Sequence, residues 1–432
     1  MKKKIFAILL LVVAVVICVT KWGKWFDNPP EAAYESQTEL SRLLLTVGPE
    51  PNERYLSWQY GSEVQSGWVD YCSKGGGDTF TVETRSKVYQ SRAGVGSYFS
   101  ALMSGLAFDS AYDYRVRVAH DTTEWFHFRM PKRDSTLSFL YFGDVQDELD
   151  EVGLDTLLPQ IVERTPDAAM LLFGGDIIER PMDRYWGKVF STLGAHATSY
   201  PIVSVPGNHE YLKGVVRHLE GRFPFVFPYY GDLGPEDNAL FSFSMGDVRF
   251  FLLDSNKDSW NLLPQRFWLE EQLKDCKERW KVVVLHHPII SIKGSMNNFL
   301  VKQLFDDLVR EYGVDLVLQG HEHGYARFNV AHDDSGEMSE PLRLVSFCSR
   351  KEYPLSFHGD VARWGTDDRY YQRITVSDTM LSLESFTADH QLYDKVRILK
   401  KNGKRVCVAD SVDAPKESMS PNGSERIRVR SV

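Results

Sequence analysis

The sequence predicts a chain of mixed α+β and α/β class, in which an N-terminal β-sandwich precedes a body of two packed sheets with flanking helices. Short β segments separated by Gly and Ser clusters fill residues 36–131. Apolar runs then alternate with stretches of helical spacing over residues 136–398. The composition agrees, because 432 residues with 43% hydrophobic and 25% charged side chains are typical of a globular protein with two or three domains.

The sandwich is predicted from β segments at residues 55–60, 67–71, 79–88, 112–118 and 124–129. Apolar and polar residues alternate most clearly from Tyr112 to Val118, as in a strand with one buried face. Gly and Ser clusters at residues 75–77 and 94–97 are predicted turns. Short strands at this spacing favour a sandwich of about 90 residues, followed by a linker at residues 131–135.

In the α/β body, continuous apolar runs at residues 137–142 and 168–173 predict strands that are covered on both faces. Apolar residues at helical spacing lie between them, namely Leu154, Leu157, Leu158, Ile161 and Val162. Further strands are predicted at residues 201–205, 240–243, 248–253, 281–285 and 314–318, and further helices at residues 185–193, 264–277 and 298–312. Late strands at residues 342–347, 371–376 and 381–386 predict a second sheet that packs on the first.

The two ends of the chain differ from the body. Lys2, Lys3 and Lys4 precede an apolar run from Ile5 to Val19, which is typical of an export signal. No small-residue cleavage site follows, and aromatic residues near the end of the run favour a membrane interface. Residues 1–26 are therefore a signal peptide or a membrane anchor, and we expect an exported chain, either secreted, periplasmic or anchored. We expect residues 399–432 to form a basic, polar and mobile tail.

Composition and motifs exclude several classes of function. A net charge of −9 offers no basic surface to nucleic acid. Five scattered cysteines without a CxxC pair predict neither a disulfide framework nor a thiolate zinc site. Cys348 lacks the arginine six residues later that a cysteine phosphatase needs, and no GxSxG or GxxxxGK motif occurs.

Five short polar motifs follow the ends of predicted strands: Gly143-Asp144-Val145-Gln146, Gly175-Asp176, Gly207-Asn208-His209-Glu210, His286-His287-Pro288 and Gly320-His321-Glu322-His323. An open α/β sheet collects its functional groups at strand ends. Carboxylate, amide and imidazole donors suit Fe, Zn or Mn. The donors are too many for one ordinary site, so we expect two metal ions that share a ligand.

The order and spacing of these motifs resemble those of the calcineurin-like metallophosphoesterases, and among them the purple acid phosphatases. The stretch from Gly320 to Arg327 is similar to the GHxHxYxR motif of the purple acid phosphatases, and residues 241–255 with Gln265 and Trp268 resemble the same family's core. The resemblance implies a fibronectin-like domain followed by an αββα catalytic sandwich.

The resemblance also implies a ligand for each metal position, residue by residue. The first metal would be held by Asp144, Asp176 and His323. The second would be held by the bridging Asp176 together with Asn208, His286 and His321. His286 is preferred to His287 because the ligand of the family lies two positions before the proline.

Two positions depart from the family's pattern at the first metal. Purple acid phosphatases have a tyrosine three residues after the second aspartate, where this chain has Glu179. The wider superfamily has a histidine two residues after the first aspartate, where this chain has Gln146. We expect Glu179, as an anionic oxygen donor, to take the place of the tyrosine, and Gln146 is the alternative ligand through its amide oxygen.

The remaining site residues would act on the substrate. The resemblance implies that His209 protonates the leaving group and that Asn208 helps to neutralise the phosphate. His287 is a candidate substrate contact or a packed neighbour of Pro288. Tyr325 is a candidate substrate contact that closes the pocket, with a structural role as the alternative.

The expected function is hydrolysis of a phosphate ester at a binuclear metal centre, with a metal-activated water as the nucleophile. A phosphomonoester is the first expectation, and a phosphodiester or a nucleotide is the alternative on the same site. A degenerate cell-surface binding protein is a second possibility, favoured only by Gln146 and Glu179. The sequence leaves the oligomeric state open.

Overall fold

A computed structural model gives the fold and describes residues 12–418 except 14, 17, 24–25, 133–135, 235–236, 258, 295–297, 352, 354, 356–359 and 402–403. Residues 12–26 are helical wherever they are described. Within this described part of the chain, no helix has both the length and the apolar character needed to cross a membrane. Residues 1–11 of the predicted signal or anchor and residues 419–432 of the predicted tail lie outside the described residues.

The predicted N-terminal sandwich is confirmed. Its strands are β1 (Ser41–Val47), β2 (Arg54–Gln59), β3 (Gly67–Ser73), β4 (Phe80–Glu83), β5 (Arg85–Gln90), β6 (Val95–Met103), β7 (Ala111–Val118), β8 (Asp121–Thr122) and β9 (Phe126–Arg129). One sheet has the order β1-β2-β6-β5, and the other has the order β4-β3-β7-β8 with β9 also on β7. Strand β6 was missed because its first residues belong to the Gly/Ser cluster that predicted a turn.

The second body begins with elements of alternating type, as the sequence predicts. They are β10 (Leu137–Phe142), α1 (Leu154–Arg164), β11 (Ala168–Phe173), α2 (Asp183–Leu193), α3 (His196–Ser199), β12 (Ile202–Ser204), β13 (Tyr211–Leu212), β14 (His218–Leu219), α4 (Phe223–Val226), β15 (Phe241–Met245) and β16 (Val248–Leu252). Every residue of β10 is buried, as expected of a strand covered on both faces.

The chain continues with two long helices and the strands that complete both sheets. They are α5 (Ser259–Asp275), β17 (Trp280–Val284), α6 (Phe299–Glu311), β18 (Leu316–Gln319), β19 (Tyr325–Phe328), β20 (Leu342–Val345), β21 (Val361–Gly365), β22 (Tyr370–Val376), β23 (Met380–Thr387), β24 (Leu392–Lys401), β25 (Lys404–Ala409) and β26 (Glu417–Ser418).

Two sheets pack face to face in this body. The first has the order β12-β11-β10-β22-β23-β24-β25, and the second has the order β15-β16-β17-β18-β20-β19-β21-β26. The rings of Phe139 and Phe250 meet edge to face between the sheets, with centroids 5.2 Å apart. The indole N–H of Trp280 in the second sheet donates to the carbonyl of Ser377, which follows β22 of the first, at 2.9 Å. The two packed sheets are confirmed, but the prediction that the late strands form the second sheet is wrong, because β22 pairs with β10 in the first sheet and β20 pairs with β18 in the second.

The predicted mobile tail is wrong for the residues that the structure describes after residue 399. Strand β25 pairs with β24 at the edge of the first sheet. The ammonium of Lys400 lies 2.8 Å from the buried carboxylate of Asp315, and Arg405 donates to the carbonyl of Gly313 at 2.8 Å. A count of charges predicts a solvated segment, but these cations are held by acceptors that come from distant parts of the chain.

The sandwich and the second body share buried contacts. Leu44 and Val47 of β1 belong to the hydrophobic core of the second body. The hydroxyl of Thr46 donates to the carbonyl of Ile202 at 2.5 Å, and Arg42 forms two hydrogen bonds with the carboxylate of Asp183 at 2.7 and 2.8 Å. Because apolar and polar contacts are both buried here, the two domains are fixed relative to each other.

Tyr325 lies in the core rather than at the surface of a pocket. Its side chain is fully buried, and its hydroxyl donates to the carboxylate of Asp394 at 2.8 Å. Asp394, in the first sheet, also accepts from Arg327 at 2.5 Å and pairs with Arg363 at 3.2 Å, both in the second sheet. The predicted substrate contact of Tyr325 is therefore wrong, because its one polar group is used to join the two sheets.

Replacing Tyr325 with Phe removes one donor to a buried carboxylate, so we expect the free energy of unfolding to fall by about 1–3 kcal/mol. Urea unfolding followed by circular dichroism measures the change. Tyr312→Phe is the matched control, because that hydroxyl bonds the carboxylate of Glu270 from a half-buried position. Unchanged unfolding with a loss of ester hydrolysis would instead support the substrate contact.

Candidate metal centre

Four predicted ligands stand on backbone of an uncommon conformation. Asp144, Asp176, His321 and His323 have φ values of 34°, 51°, 72° and 48°. A side chain in this left-handed region costs roughly 1–2 kcal/mol per residue relative to the usual conformation. Asp144 and Asp176 follow the ends of β10 and β11, and the two histidines follow β18. Such strain concentrates at functional sites, where the surrounding structure holds it.

Glu210 holds the turn that carries Asp176. Its buried carboxylate accepts hydrogen bonds from the backbone N–H groups of Gly207 and Asp176 at 2.6 and 2.9 Å. It also accepts from Ile177 and Ile178 at 2.9 and 3.1 Å. Glu210 is a functional residue without a predicted role, and the acid directly after His209 in the third motif is the signal in the sequence that could have revealed it.

The ligands predicted for the second metal converge. Ligand atoms of Asp176, His286 and His321 all lie within 4.8 Å of one another. The side-chain oxygen of Asn208 is 2.8 Å from Nδ1 of His321 and 3.2 Å from Nε2 of His286. His286 donates through Nδ1 to the carbonyl of Gly174 at 2.9 Å, so its Nε2 faces the other donors.

A second group of donors lies beside this one and shares Asp176. The amide nitrogen of Gln146 is 3.4 Å from Oδ2 of Asp176 and 3.2 Å from Nε2 of His323. Nε2 of His323 is also 3.6 Å from Oδ1 of Asp144. The other ring nitrogen of His323 donates to the carbonyl of Lys351 at 2.6 Å, so Nε2 faces the centre.

Burial disfavours the charged forms of the side chains in this cluster. It raises the pKa of Asp144 to about 7 and lowers the pKa of His323 to about 3. The pKa of His321 is lowered by burial and by the neighbouring histidines. Burial also lowers that of His286, but the carboxylates of Asp176 and Asp144 outweigh it and raise the value to about 9. His321 and His323 are thus kept neutral, as a metal ligand must be.

The residues present fit two metal ions. Among the described residues, Oδ1 of Asp144 and Oε1 of Gln146 are buried without a hydrogen-bond partner. Buried polar atoms of this kind are costly unless something binds them. Both atoms belong to the side chains assigned to the first metal, and the mixture of oxygen and imidazole donors suits Fe, Zn or Mn.

Glu179 and Gln146 both lie beside the donors predicted for the first metal. Both carboxylate oxygens of Glu179 face the ammonium of Lys351, at 3.2 and 3.3 Å. Gln146 contacts Asp176 and His323 through its amide nitrogen, and its amide oxygen has no hydrogen-bond partner among the described residues. The role of Glu179 as a ligand, with Gln146 as the alternative, stays a prediction.

His209 is placed beside the donors rather than among them. Its Nδ1 donates to the backbone carbonyl of Glu179 at 2.5 Å and lies 3.7 Å from the Glu179 carboxylate. Its Nε2 is 3.9 Å from Oδ2 of Asp176. This is the position expected of a histidine that touches the substrate and not the metal.

His287 lies against the second donor group. Its ring centroid is 4.2 Å from that of His321, and its Nδ1 is 3.1 Å from the hydroxyl of Ser255. Burial, above all, lowers the pKa of His287 to about 3, so the ring is neutral. The position is compatible with the predicted substrate contact, which stays a prediction.

Two lysines without a predicted role lie beside the cluster. Lys293 donates to the carbonyl of His321 at 2.9 Å, and its ammonium lies 3.9 Å from the ring centroid of Tyr353. The ammonium of Lys351 lies 5.9 Å from the centroid of the same ring. Neither lysine belongs to a motif, so only the fold reveals that they surround the centre.

Comparisons with known proteins agree with this geometry. Residues 137–325 match the calcineurin-like phosphoesterase family, and residues 40–130 match the N-terminal domain of purple acid phosphatases. Probable purple acid phosphatase 20 of Arabidopsis thaliana is 25% identical over 257 residues, which are 55% of this chain and 56% of that protein. Fe(3+)-Zn(2+) purple acid phosphatase 12 of the same plant is 22% identical over 73% of this chain and 71% of that protein. The chain thus spans just over half the length of the first relative.

Solved structures show the same fold. A purple acid phosphatase isolated from yellow lupin (Lupinus luteus) seeds superposes with a TM-score of 0.67 over 89% of this chain and 75% of that chain, at 17% identity. PhoD superposes with a TM-score of 0.63 over 92% of this chain and 97% of that chain, at 14% identity. The chain therefore carries a calcineurin-like phosphoesterase domain that follows a purple acid phosphatase N-terminal domain, and it resembles the purple acid phosphatases over both.

Proposed function

We propose that the chain is a binuclear metal-dependent hydrolase of phosphate esters, and that phosphomonoesters are its preferred substrates. The observation that carries the proposal is the pair of buried donor groups that share Asp176. Burying several acids and imidazoles together is costly without a cation. A site that serves only to bind a partner, with degenerate chemistry, would not need to retain donors for both ions.

The cations around the centre support a monoester. A phosphomonoester carries up to two negative charges and a diester carries one, so an additional cation favours the monoester. Lys351 is paired with Glu179, whereas Lys293 has no carboxylate within salt-bridge distance among the described residues. Lys293 also lies against His321, a predicted ligand, and is the cation available to a second phosphate charge.

Two bound metal ions would polarise the ester and activate a water as the nucleophile. The chain's own residues would complete the chemistry. Asn208 and Lys293 would orient the phosphate oxygens. His209 would carry the proton of the leaving group on Nε2, because its Nδ1 proton is held by the carbonyl of Glu179. The Glu179 carboxylate lies 3.7 Å from Nδ1 and would help to hold the orientation of the ring.

The donor set also bears on which metals are used. One relative is named an Fe(3+)-Zn(2+) purple acid phosphatase. In this chain no tyrosine stands three residues after Asp176, and the acid at that position, Glu179, is paired with Lys351. We therefore propose that divalent Zn, Mn or Fe occupies the first site more readily than Fe(III).

We further propose that the enzyme is exported and held on a membrane by its N-terminal segment. Three lysines followed by the apolar run from Ile5 to Val19 support export. Trp22 is half-exposed next to Lys21, and this combination is typical of a membrane interface.

The function is tested with p-nitrophenyl phosphate, bis(p-nitrophenyl) phosphate and a nucleotide, each with Zn, Mn or Fe. We expect the monoester to be hydrolysed fastest. Asp176→Asn should abolish the activity and lower the content of both metals, because one carboxylate serves both donor groups. The exposed Asp150→Asn is the control and should change neither property. Full activity and metal content in Asp176→Asn would refute the proposed centre.

His209→Ala should lower turnover about 10²- to 10⁴-fold, which is the usual contribution of a general acid. Metal content should stay unchanged, because His209 lies outside both donor groups. The loss should be largest for alkyl phosphates, whose leaving groups most need a proton. The exposed His120→Ala is the control. An equal loss for alkyl and nitrophenyl esters would contradict the assigned role.

Gln146→Ala and Glu179→Gln separate the two alternatives at the first metal. Gln146→Ala should lower the total metal content by about half, because one of the two metals is lost. Glu179→Gln should leave the metal stoichiometry unchanged and reduce turnover, because Glu179 contacts His209. Elemental analysis after dialysis measures both. The iron-loaded wild type should show no phenolate charge-transfer band. Loss of metal in Glu179→Gln but not in Gln146→Ala would identify Glu179 as the ligand.

A further inference from the structure

A short hairpin connects the predicted catalytic residues to the N-terminal segment. It consists of β13 and β14 with the tip between them, residues 213–217. Strand β13 begins directly after Asn208-His209-Glu210, and the backbone N–H of Glu220 donates to the carbonyl of Glu210 at 2.9 Å. The hairpin is therefore a continuation of the backbone that places His209.

The tip of the hairpin exposes one apolar side chain between two cations. Val215 is 83% exposed, which is the largest value among the exposed large hydrophobic residues of the described chain. Lys213 and Arg217 are exposed on either side of it. Because the hairpin follows Asn208-His209-Glu210 directly, its tip lies a few residues from the predicted catalytic residues and faces solvent.

The N-terminal segment is hydrogen-bonded to the backbone of the hairpin tip. The side-chain amide of Asn28 donates to the carbonyl of Lys213 at 2.9 Å and accepts from its N–H at 2.8 Å. Arg92 of the sandwich donates to the carbonyls of Pro29 and Pro181, at 2.9 and 2.8 Å. These contacts fix where the N-terminal segment leaves the body.

A buried ion cluster secures the same segment. Arg222 donates to both carboxylate oxygens of Glu31, at 2.8 and 3.2 Å, and is itself 2% exposed. The backbone N–H of Asp183 donates to Glu31 at 2.5 Å. Because Glu31 is held from several directions, the segment cannot swing away from the hairpin without breaking buried pairs.

The helical residues before this segment are apolar and exposed. Val12, Val15, Val19 and Trp22 have between 51% and 71% of their surface exposed. The helix ends at residue 26, and Asn28 lies two positions later. Two residues of chain span at most about 7 Å. A membrane that holds the helix must therefore lie close to the hairpin tip.

We propose that the hairpin tip rests on an anionic lipid surface, and that the metal centre takes its phosphate monoesters from lipid headgroups in that surface. Lys213 and Arg217 would face the anionic headgroups, and Val215 would enter the interface between them. The net charge of −9 makes the rest of the chain repel such a surface, so a local basic tip determines which face turns toward it. This substrate class rests on the proposed function.

Contact between the hairpin tip and anionic lipid is tested without measuring catalysis. The full chain is placed in vesicles of phosphatidylcholine alone, and in vesicles that also contain phosphatidylglycerol, and amide hydrogen exchange is compared. We expect slower exchange over residues 211–219 in the anionic vesicles and equal exchange in the sandwich strand β7. Equal exchange of the hairpin in both kinds of vesicle would overturn the docking surface.

The substrate class is tested with phosphatidic acid in vesicles and with soluble p-nitrophenyl phosphate. Val215→Asp should lower hydrolysis of the lipid about tenfold, because it brings an acid to an anionic surface, and leave hydrolysis of the soluble ester unchanged. Val64→Asp, at a 66% exposed position in the sandwich, should change neither rate. Hydrolysis of the soluble ester without hydrolysis of phosphatidic acid would overturn the lipid substrate. Failure of every ester would refute the proposed function, while hydrogen exchange would still report on the surface.

Discussion

The carboxylate of Asp176 is the group on which the rest of the centre depends. It lies within hydrogen-bond distance of His286 and of the Gln146 amide, so both donor groups are built around it. Its backbone is strained, and the four N–H bonds to Glu210 hold that strain in place. The third motif thus does two tasks, since Asn208 and His209 face the centre while Glu210 fixes the second motif.

At position 179, the side chain has contacts that a tyrosine at this position would not have. Purple acid phosphatases have a tyrosine there, and this chain has an acid whose charge is balanced by Lys351. With that charge paired, Glu179 supports His209 through its backbone carbonyl and its carboxylate. Glu179 and Gln146 both stay candidate donors to the first metal, and Glu179 also contacts the histidine that is proposed to protonate the leaving group.

The contact between the two domains gives the centre a fixed orientation. Strand β1 of the sandwich contributes to the core of the second body, and the segment around Glu31 joins Arg92 of the sandwich to Arg222 and Asp183. Glu31 and Arg222 are both buried, so breaking their pair would leave an uncompensated charge. Any surface to which the N-terminal segment is attached therefore has a defined position relative to the metal centre.

The sequence by itself determined the order of the domains, most strands and helices, and the group of donors that converges. Apolar runs and short motifs with glycine are local signals, and the ends of neighbouring strands must meet at one sheet edge. Only the tertiary structure paired Glu179 with Lys351, placed Tyr325 in the core and made Lys404–Ala409 a strand. Each of these depends on a partner that is distant in the sequence, such as Lys351, Asp394 or Asp315. The role of such a side chain depends on the charged group that the fold places next to it. The spacing of residues along the chain does not encode that contact.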